Sequence, residues 1–413
     1  MLSQDAIDNL VQPIVTRQQK INEYVISIIC RRVKEIGHLL PSDLHRLERL
    51  LKMGGDVRKI NAEIARQTGL QVKDIKKLIK EVALDGYVDA KPYYDYRHKS
   101  FIPFADNVPI QEIVTAIANQ TAEEYVNMAK AQAFMLRDLK NPKVLIPTPI
   151  AKAYYSVVDE AVQAVQSGVV DYNTAMRRTI KQLADSGLRR VEYNTESGRR
   201  YTQRMDTAVR RNVLDGVRAV NQGVQDEVGK QFGADGKEIT VHSNPAEDHA
   251  LVQGRQFSNE EYEKLQGEED VTFKDVNGKI YQHFDRHIGT LNCRHFTYSI
   301  IIGFSNPNFT DAQLKKILAD NEKGYTLPNG KHLTMYECTQ EQRKMETAIR
   351  YAKDGQIAAL ESGDVELAKQ FQAEINERTK KYNAFSKACG LSPKPTKMRV
   401  AGYRKISTKS STK

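Results

Sequence analysis

Five of the nine histidines lie within one 54-residue stretch of the chain, and a cysteine lies among them. These residues are His242, His249, His283, His287, Cys293 and His295. Histidine and cysteine are the commonest protein ligands of transition metals, so the clustering predicts a structural zinc site. No pair has the CxxC or helical HxxxH spacing that is most typical of such sites. The alternative is that these side chains cap turns and fill a small polar core.

The same stretch also offers residues for hydrolysis. Cys293 and His295 are two residues apart, so in a strand they share a face, as a nucleophile and its base would. Glu247, Asp248 and Asp285 add carboxylates that could complete a metal-dependent nuclease or toxin site with the histidines. Carboxylates beside histidines are usually structural, however, and the spacing shows no residue to orient His295. The sequence therefore favours a protein that is not an enzyme.

The net charge of +10 is concentrated at the C-terminal end of the chain. Residues 378–413 contain eleven Lys or Arg and no Asp or Glu, whereas the rest of the chain sums to 51 − 52 = −1. Such segments bind double-stranded DNA without reading its sequence. The predicted contacts are Lys394, Lys397, Arg399, Arg404, Lys405, Lys409 and Lys413. The alternative is a mobile, solubilising end, since residues 391–413 have no core-forming pattern.

The elements that must position these residues are mostly helices. Apolar residues at a spacing of three to four predict a helix over 16–36 and a second one capped by Ser42 and Asp43, followed by two more that end at Gly69 and Gly86. Residues Asn61 to Lys80 resemble a helix-turn-helix, with Gly69 as the turn glycine. The second helix carries lysines, which suit phosphate contact better than base recognition. An ordinary packing unit gives the same pattern.

The middle of the chain is also predicted to be helical. Thr148 and Pro149 open a helix that ends at Gly168, and a second helix ends at Gly187. A stripe of valines then extends from Met205 to Val228. This stripe favours burial within the chain, and the alternative is a helix seam against a partner chain.

A change of pattern follows Gly233. Residues 239–241 are predicted as a strand, Ser258 and Glu261 as a capping box, and Asn277-Gly278 as the turn of a hairpin. Beyond residue 305 the pattern is helical again, with Thr310 and Thr339 as predicted caps. Residues 233–305 therefore look like a small α+β module that holds the histidines.

The predicted fold class is mainly α with this small, compact α+β module. The predicted regions are an N-terminal helical region (1–100) with a helix-turn-helix-like unit (57–90), a central long-helix region (101–232), the His/Cys module (233–305), a C-terminal helical region (306–390) and a basic flexible tail (391–413). No apolar run reaches the roughly 18 residues that a membrane span needs, and the N-terminus lacks the pattern of a secretion signal. We expect a protein of the cytoplasm that is not embedded in a membrane.

Several short motifs together resemble the phage minor capsid protein family of tailed phages and prophages of Gram-positive bacteria, and more distantly the Mu-type head morphogenesis proteins. The residues that carry this resemblance are His242, His249, Gly254, Arg255, Asn292, Cys293, Arg294 and His295, with Ile302-Gly303-Phe304-Ser305 and the helical region after Thr339. The resemblance extends over nearly the whole chain.

This resemblance implies a minor head protein in the phage virion. Such a protein associates with the portal and the inner capsid in several copies, and it helps head assembly, DNA packaging or ejection. Its function is binding, and the only cofactor that the residues suggest is a structural zinc ion. The alternatives from the residues are a helix-turn-helix regulator that uses Asn61 to Lys80, and a nuclease or toxin that uses the His/Cys cluster.

Overall fold

Long α-helices dominate the computed structural model. It describes residues 4–36, 43–138, 140–141, 143–167, 170–193, 200–267, 271–284, 286–289, 293 and 295–408. The helices in this part are α1 (Gln4–Ile36), α2 (Asp43–Val88), α3 (Lys91–Tyr96), α4 (Val108–Lys130), α5 (Ile150–Gln166), α6 (Tyr172–Ser186), α7 (Met205–Phe232), α8 (Glu247–Ala250), α9 (Asn259–Leu265), α10 (Asp311–Lys323), α11 (Met335–Ser362) and α12 (Val365–Ala388). The predicted mainly α fold class is confirmed.

Short antiparallel strands connect or flank these helices. They are β1 (Gln132–Arg137), β2 (Leu145–Pro149), β3 (Arg189–Tyr193), β4 (Arg200–Arg204), β5 (Gly236–Ile239), β6 (Gln256–Ser258), β7 (Phe273–Lys274), β8 (Ile280–Tyr281), β9 (Thr297–Ile300), β10 (Tyr325–Thr326) and β11 (His332–Leu333). One sheet has the strand order β2-β1-β3-β4 and another the order β6-β5-β9, while β7-β8 and β10-β11 form two-stranded ladders. None of the helices described here is long and apolar enough to cross a membrane.

The main hydrophobic core lies between α1, α2, α4 and α7. The valine stripe of α7 is part of it: Met205, Val209, Val213, Val217, Val220, Val224 and Val228 are each at most 3% exposed. The stripe therefore packs within the chain, as the periodicity favoured, and does not form a seam for a partner. Close helix approach at this core uses a small residue, because a Cβ on Gly216 would lie 2.4 Å from the Thr121 hydroxyl oxygen of α4.

The predicted helix-turn-helix unit is wrong. Helix α2 continues from Asp43 to Val88 through Gly69, which has no positive φ. Its buried face keeps helical spacing across this glycine, since Ile60, Gln67, Gln71 and Ile75 are all buried. A glycine in a helix costs about 1 kcal/mol, and packing of this face against α1, α4 and α7 offsets that cost. The separate helices predicted to end at Gly69 and Gly86 are parts of one element.

The sheet formed by β1 to β4 was not predicted, because the whole central region was expected to be helical. Its strands have five or six residues, too few to show a clear alternation of apolar and polar residues. Thr148 and Pro149 were predicted to open the next helix, but they end β2, and α5 begins at Ile150. Strand β2 lies at the edge of the sheet, where proline is tolerated. The predicted helices that flank this sheet are present as α5 and α6.

The small α+β module packs against α7 through β9. Within it, the Ser258–Glu261 capping box opens α9 as predicted, and Gly278, at a φ of 82°, lies in the turn of the β7–β8 hairpin. A separate small core fills the module, and its buried members are Ile239, Val252, Phe257, Leu265, Phe273, Phe284 and Ile288. The predicted boundaries of the five regions stay predictions.

The C-terminal helices form an antiparallel pair. Thr310 caps α10 as predicted, but Thr334 and Glu337 form the capping box of α11, so the predicted cap at Thr339 is wrong. Helix α11 is joined to the main core by a buried ion pair, in which Arg204 Nη1 lies 2.8 Å from Asp354 Oδ2.

The chain after α12 folds back onto the helices, so the prediction of a flexible tail is wrong for residues 395–401. Met398, Val400 and Ala401 are at most 8% exposed. Buried side chains bind the backbone of this segment: Gln19 Nε2 donates to the Arg399 carbonyl at 2.7 Å, and Arg350 Nη1 donates to the Lys397 carbonyl at 2.7 Å. These acceptors are backbone atoms, so no pattern of side chains in the sequence indicated them.

Candidate metal centre and basic surface

Three of the predicted metal ligands converge in the small α+β module. His249 lies on α8, and Cys293 and His295 lie just before β9. One ligand atom from each lies within 4.8 Å of the other two, and Cys293 Sγ is 3.4 Å from His295 Nδ1. The three side chains are buried, with exposures of 1%, 5% and 3%. The geometry therefore joins two separate segments of the module at one enclosed point.

The hydrogen bonds around this cluster define which ring nitrogens carry protons. Gln253 Oε1 accepts the backbone N–H of His242 at 2.9 Å and lies 3.2 Å from His295 Nε2. A backbone nitrogen can only donate, so this Gln253 atom is the oxygen, and His295 Nε2 is protonated. His249 Nε2 likewise donates to the Arg286 carbonyl at 2.8 Å. In both rings Nδ1 is left with the lone pair that a metal ligand needs.

Burial keeps the cluster uncharged. It lowers the pKa of His295 well below its usual value and also lowers the pKa of His249, so both imidazoles are neutral at pH 7. Burial raises the pKa of the Cys293 thiol, although the backbone N–H of His295 points to its sulfur at 3.3 Å. The cluster is thus two neutral imidazoles and a thiol, which releases a proton if a metal binds.

The other predicted ligands lie around this group or outside it. The His242 ring packs edge-on against the His295 ring, with centroids 4.3 Å apart. His287 Nε2 donates to the Gly267 carbonyl at 2.9 Å, and His283 is exposed. Neither His283 nor His287 belongs to the converging group in the described part of the chain. The structure therefore brings three of the six predicted ligands together and places a fourth, His242, beside them.

Of the remaining motif residues, Gly254 and Arg255 lie against neighbouring side chains of the fold. Gly254 has a φ of 70°, and a Cβ there would lie 2.5 Å from the Leu314 side chain, so no larger residue fits without a shift. The Arg255 guanidinium lies over the Phe257 ring, 5.3 Å from its centroid. Asn292 and Arg294 lie outside the described residues. Gln253 directly precedes Gly254 and Arg255. Its hydrogen bond with His295 was not predicted, although its position beside this motif pointed to a role in the module.

Of the carboxylates considered for a nuclease, Asp248 lies beside the cluster, with its Oδ2 3.9 Å from His249 Nε2, but it is engaged by an arginine. Asp248 binds Arg286 through both oxygens, with Nε–Oδ2 and Nη2–Oδ1 distances of 2.7 and 2.9 Å. Glu247 is exposed, and Asp285 lies outside the described residues. A carboxylate held by an arginine is a poor general base, because the ion pair stabilises its deprotonated form.

The predicted DNA contacts fall into two groups. Lys394, Arg399, Arg404 and Lys405 are exposed on the docked C-terminal segment. Lys397 is mostly buried, with its ammonium 3.0 Å from the Asp8 carboxylate. Lys409 and Lys413 lie outside the described residues. The structure thus holds the four exposed cations on an anchored segment, whereas the sequence predicted them on a mobile tail.

Comparison with known protein families identifies the class of the molecule. The family model described as phage minor capsid protein 2 matches residues 2–387, which is nearly the whole chain. The protein is therefore a phage capsid protein. It belongs to the phage minor capsid protein 2 family, and the predicted resemblance is confirmed. No curated protein and no solved structure shows significant similarity to the chain. The exposed cations from Lys394 onward lie beyond the matched residues.

Proposed function

We propose that this protein is a minor head protein of a tailed phage or prophage that acts by binding and catalyses no reaction. It associates in several copies with the portal and the inner capsid, and it assists head assembly, DNA packaging or ejection. It assembles in the host cytoplasm and remains in the virion. The observation that carries the proposal is the family match over residues 2–387.

The second part of the proposal is sequence-independent contact with double-stranded DNA. Lys394, Arg399, Arg404 and Lys405 are exposed on a segment that is anchored to the helices, while the rest of the chain is close to neutral. Cations that replace condensed counterions on phosphates bind DNA in a strongly salt-dependent way. An anchored segment needs less ordering on binding than a mobile tail would.

A charge-neutralised variant tests the DNA contact. The variant Lys394→Gln/Arg399→Gln/Arg404→Gln/Lys405→Gln removes the four exposed cations without touching the buried residues of the segment. If each cation contacts one phosphate, the slope of log K against log salt becomes shallower by about 3.6, because each contact contributes about 0.9. Fluorescence anisotropy with duplex DNA at several salt concentrations measures this slope.

A matched control uses four exposed lysines elsewhere in the chain. They are Lys315, Lys316 and Lys323 on α10, and Lys331 in the turn between β10 and β11. Replacing these by Gln removes the same charge, and we expect a much smaller change in slope. An equal change in both variants, or no change in the first, overturns the proposed DNA surface.

The head assignment is tested separately on particles. Mass spectrometry of purified heads should detect the protein at a few per cent of the major capsid protein, and disruption of its gene should reduce the yield of DNA-filled heads. Absence from purified heads contradicts the assignment.

The two rival functions make different predictions. A helix-turn-helix regulator binds one DNA sequence in preference to competitor, but α2 continues through the residue that would form its turn. A nuclease cleaves plasmid DNA when a divalent metal is added, but Asp248 is held by Arg286. We expect neither sequence preference nor cleavage.

A further inference from the structure

We infer that His249, Cys293 and His295 bind one zinc ion, which cross-links the small α+β module. This inference is independent of the proposed function, because a structural metal is compatible with any role of the module. The family match gives no reason for the convergence of these three buried side chains.

The separations in the cluster are close to those of a tetrahedral site. With a Zn–S distance of about 2.3 Å and a Zn–N distance of about 2.0 Å, the S···N edge of a tetrahedron is about 3.5 Å. Cys293 Sγ and His295 Nδ1 are 3.4 Å apart. The largest separation in the group is at most 4.8 Å, so a shift of about 1.5 Å brings the third ligand to a tetrahedral edge.

The surroundings of the ligands are those of a metal centre. Metal-binding histidines usually donate their second N–H to a carbonyl or carboxylate, which fixes the ring orientation and the tautomer. His249 donates to the Arg286 carbonyl, and His295 donates to Gln253 Oε1. Each histidine thus has its second nitrogen engaged and its Nδ1 lone pair available for the ion.

The burial of the three ligands indicates a structural centre. A catalytic zinc keeps one position open to water and substrate, whereas a structural zinc is enclosed by four protein ligands. The His242 ring, which packs against the His295 ring at a centroid distance of 4.3 Å, is the side chain placed to supply the fourth ligand. Binding replaces the S–H bond of Cys293 by a Zn–S bond, and the displaced proton goes to solvent.

The hydrophobic core of the module is small, so a metal cross-link would stabilise it. Its separate core contains only seven buried apolar residues in the described part of the chain, and small cores are commonly reinforced by metals or disulfides. The cluster joins α8 to Cys293 and His295, which precede β9 along the chain. A zinc ion would therefore hold these two parts of the chain together beside the small core.

Metal analysis of the full-length protein is the direct test. Untagged protein, produced with zinc in the medium and never exposed to chelator, should contain about one equivalent of zinc. Cys293→Ser and His295→Gln should each contain less than a tenth of an equivalent. Cys338→Ser is the matched control, because Cys338 is a buried cysteine outside the cluster, and it should keep the full equivalent. Wild-type protein with less than a tenth of an equivalent overturns the inference.

A second measurement avoids variants that fold poorly. Cobalt(II) bound to the metal-depleted wild-type protein should give a thiolate-to-cobalt charge-transfer band and the visible bands of a tetrahedral ion. Removal of zinc should lower the midpoint of thermal unfolding, and zinc should restore it. Cobalt spectra without a thiolate band overturn the role of Cys293. His242→Ala should weaken zinc binding at least tenfold, and unchanged affinity overturns its role as fourth ligand.

Discussion

The substitution Gly69→Ala separates a continuous helix α2 from a helix-turn-helix. In the structure Gly69 lies inside α2, its φ is not positive, and a Cβ built on it has no atom within 4 Å. Alanine therefore gains helix propensity without any clash. We expect the free energy of unfolding to rise by about 0.8–1 kcal/mol.

The opposite sign is expected if residue 69 is the turn glycine of a DNA-binding motif. An L-residue forced into the left-handed region costs about 1–2 kcal/mol, so alanine would destabilise the fold by that amount. The two structures thus differ by about 2–3 kcal/mol in the effect of one methyl group. This difference is larger than the usual error of a denaturant midpoint.

Gly216→Ala is the matched control, because it makes the same change in a helix where space is absent. Its Cβ would lie 2.4 Å from Thr121 Oγ1 at the contact of α4 with α7, so overpacking of about 1–3 kcal/mol should exceed the propensity gain. Urea unfolding followed by circular dichroism measures both variants, since the chain has no Trp. A lower urea midpoint for Gly69→Ala refutes the continuous helix.

Two further predictions concern the docked C-terminal segment. Met398→Ala should lower the free energy of unfolding by about 2 kcal/mol, because the side chain is only 8% exposed. The control Arg404→Ala, on the same segment, should change the free energy of unfolding by less than about 0.5 kcal/mol. Equal, negligible effects of both variants in urea unfolding would mean that the segment is not docked. Burial, with Arg350 and Arg399 nearby, lowers the pKa of Lys353 to about 8. The unfolded chain holds this proton up to about pH 10.5, so stability should rise with pH between 8 and 10.5, by at most about 3 kcal/mol. The difference between wild type and Lys353→Met over this range measures the effect, and a pH-independent difference would contradict it.

The helical elements of this protein were predictable because their signals are local. The stripe from Met205 to Val228 and the capping boxes at Ser258 and Thr310 depend on residues within one or two turns of each other. The fold class followed from these patterns.

Elements that depend on distant contacts were predicted wrongly or missed. Gly69 is helical because α1, α4 and α7 pack against α2, and the short strands β1 to β4 form only as one sheet. The segment around Met398 docks because side chains nearly 50 to 380 residues away bind its carbonyl groups. No local pattern contains these contacts.

The candidate site shows the same division. The sequence by itself determined that histidines and a cysteine are concentrated in one small module, and its motifs were sufficient to indicate the family. Only the tertiary structure decided that His249, Cys293 and His295 converge while His283 and His287 do not. The physical reason is that ligand convergence depends on how loops return to one point, which here depends on β9, α8 and the hydrogen bonds that the histidines donate to Gln253 Oε1 and the Arg286 carbonyl.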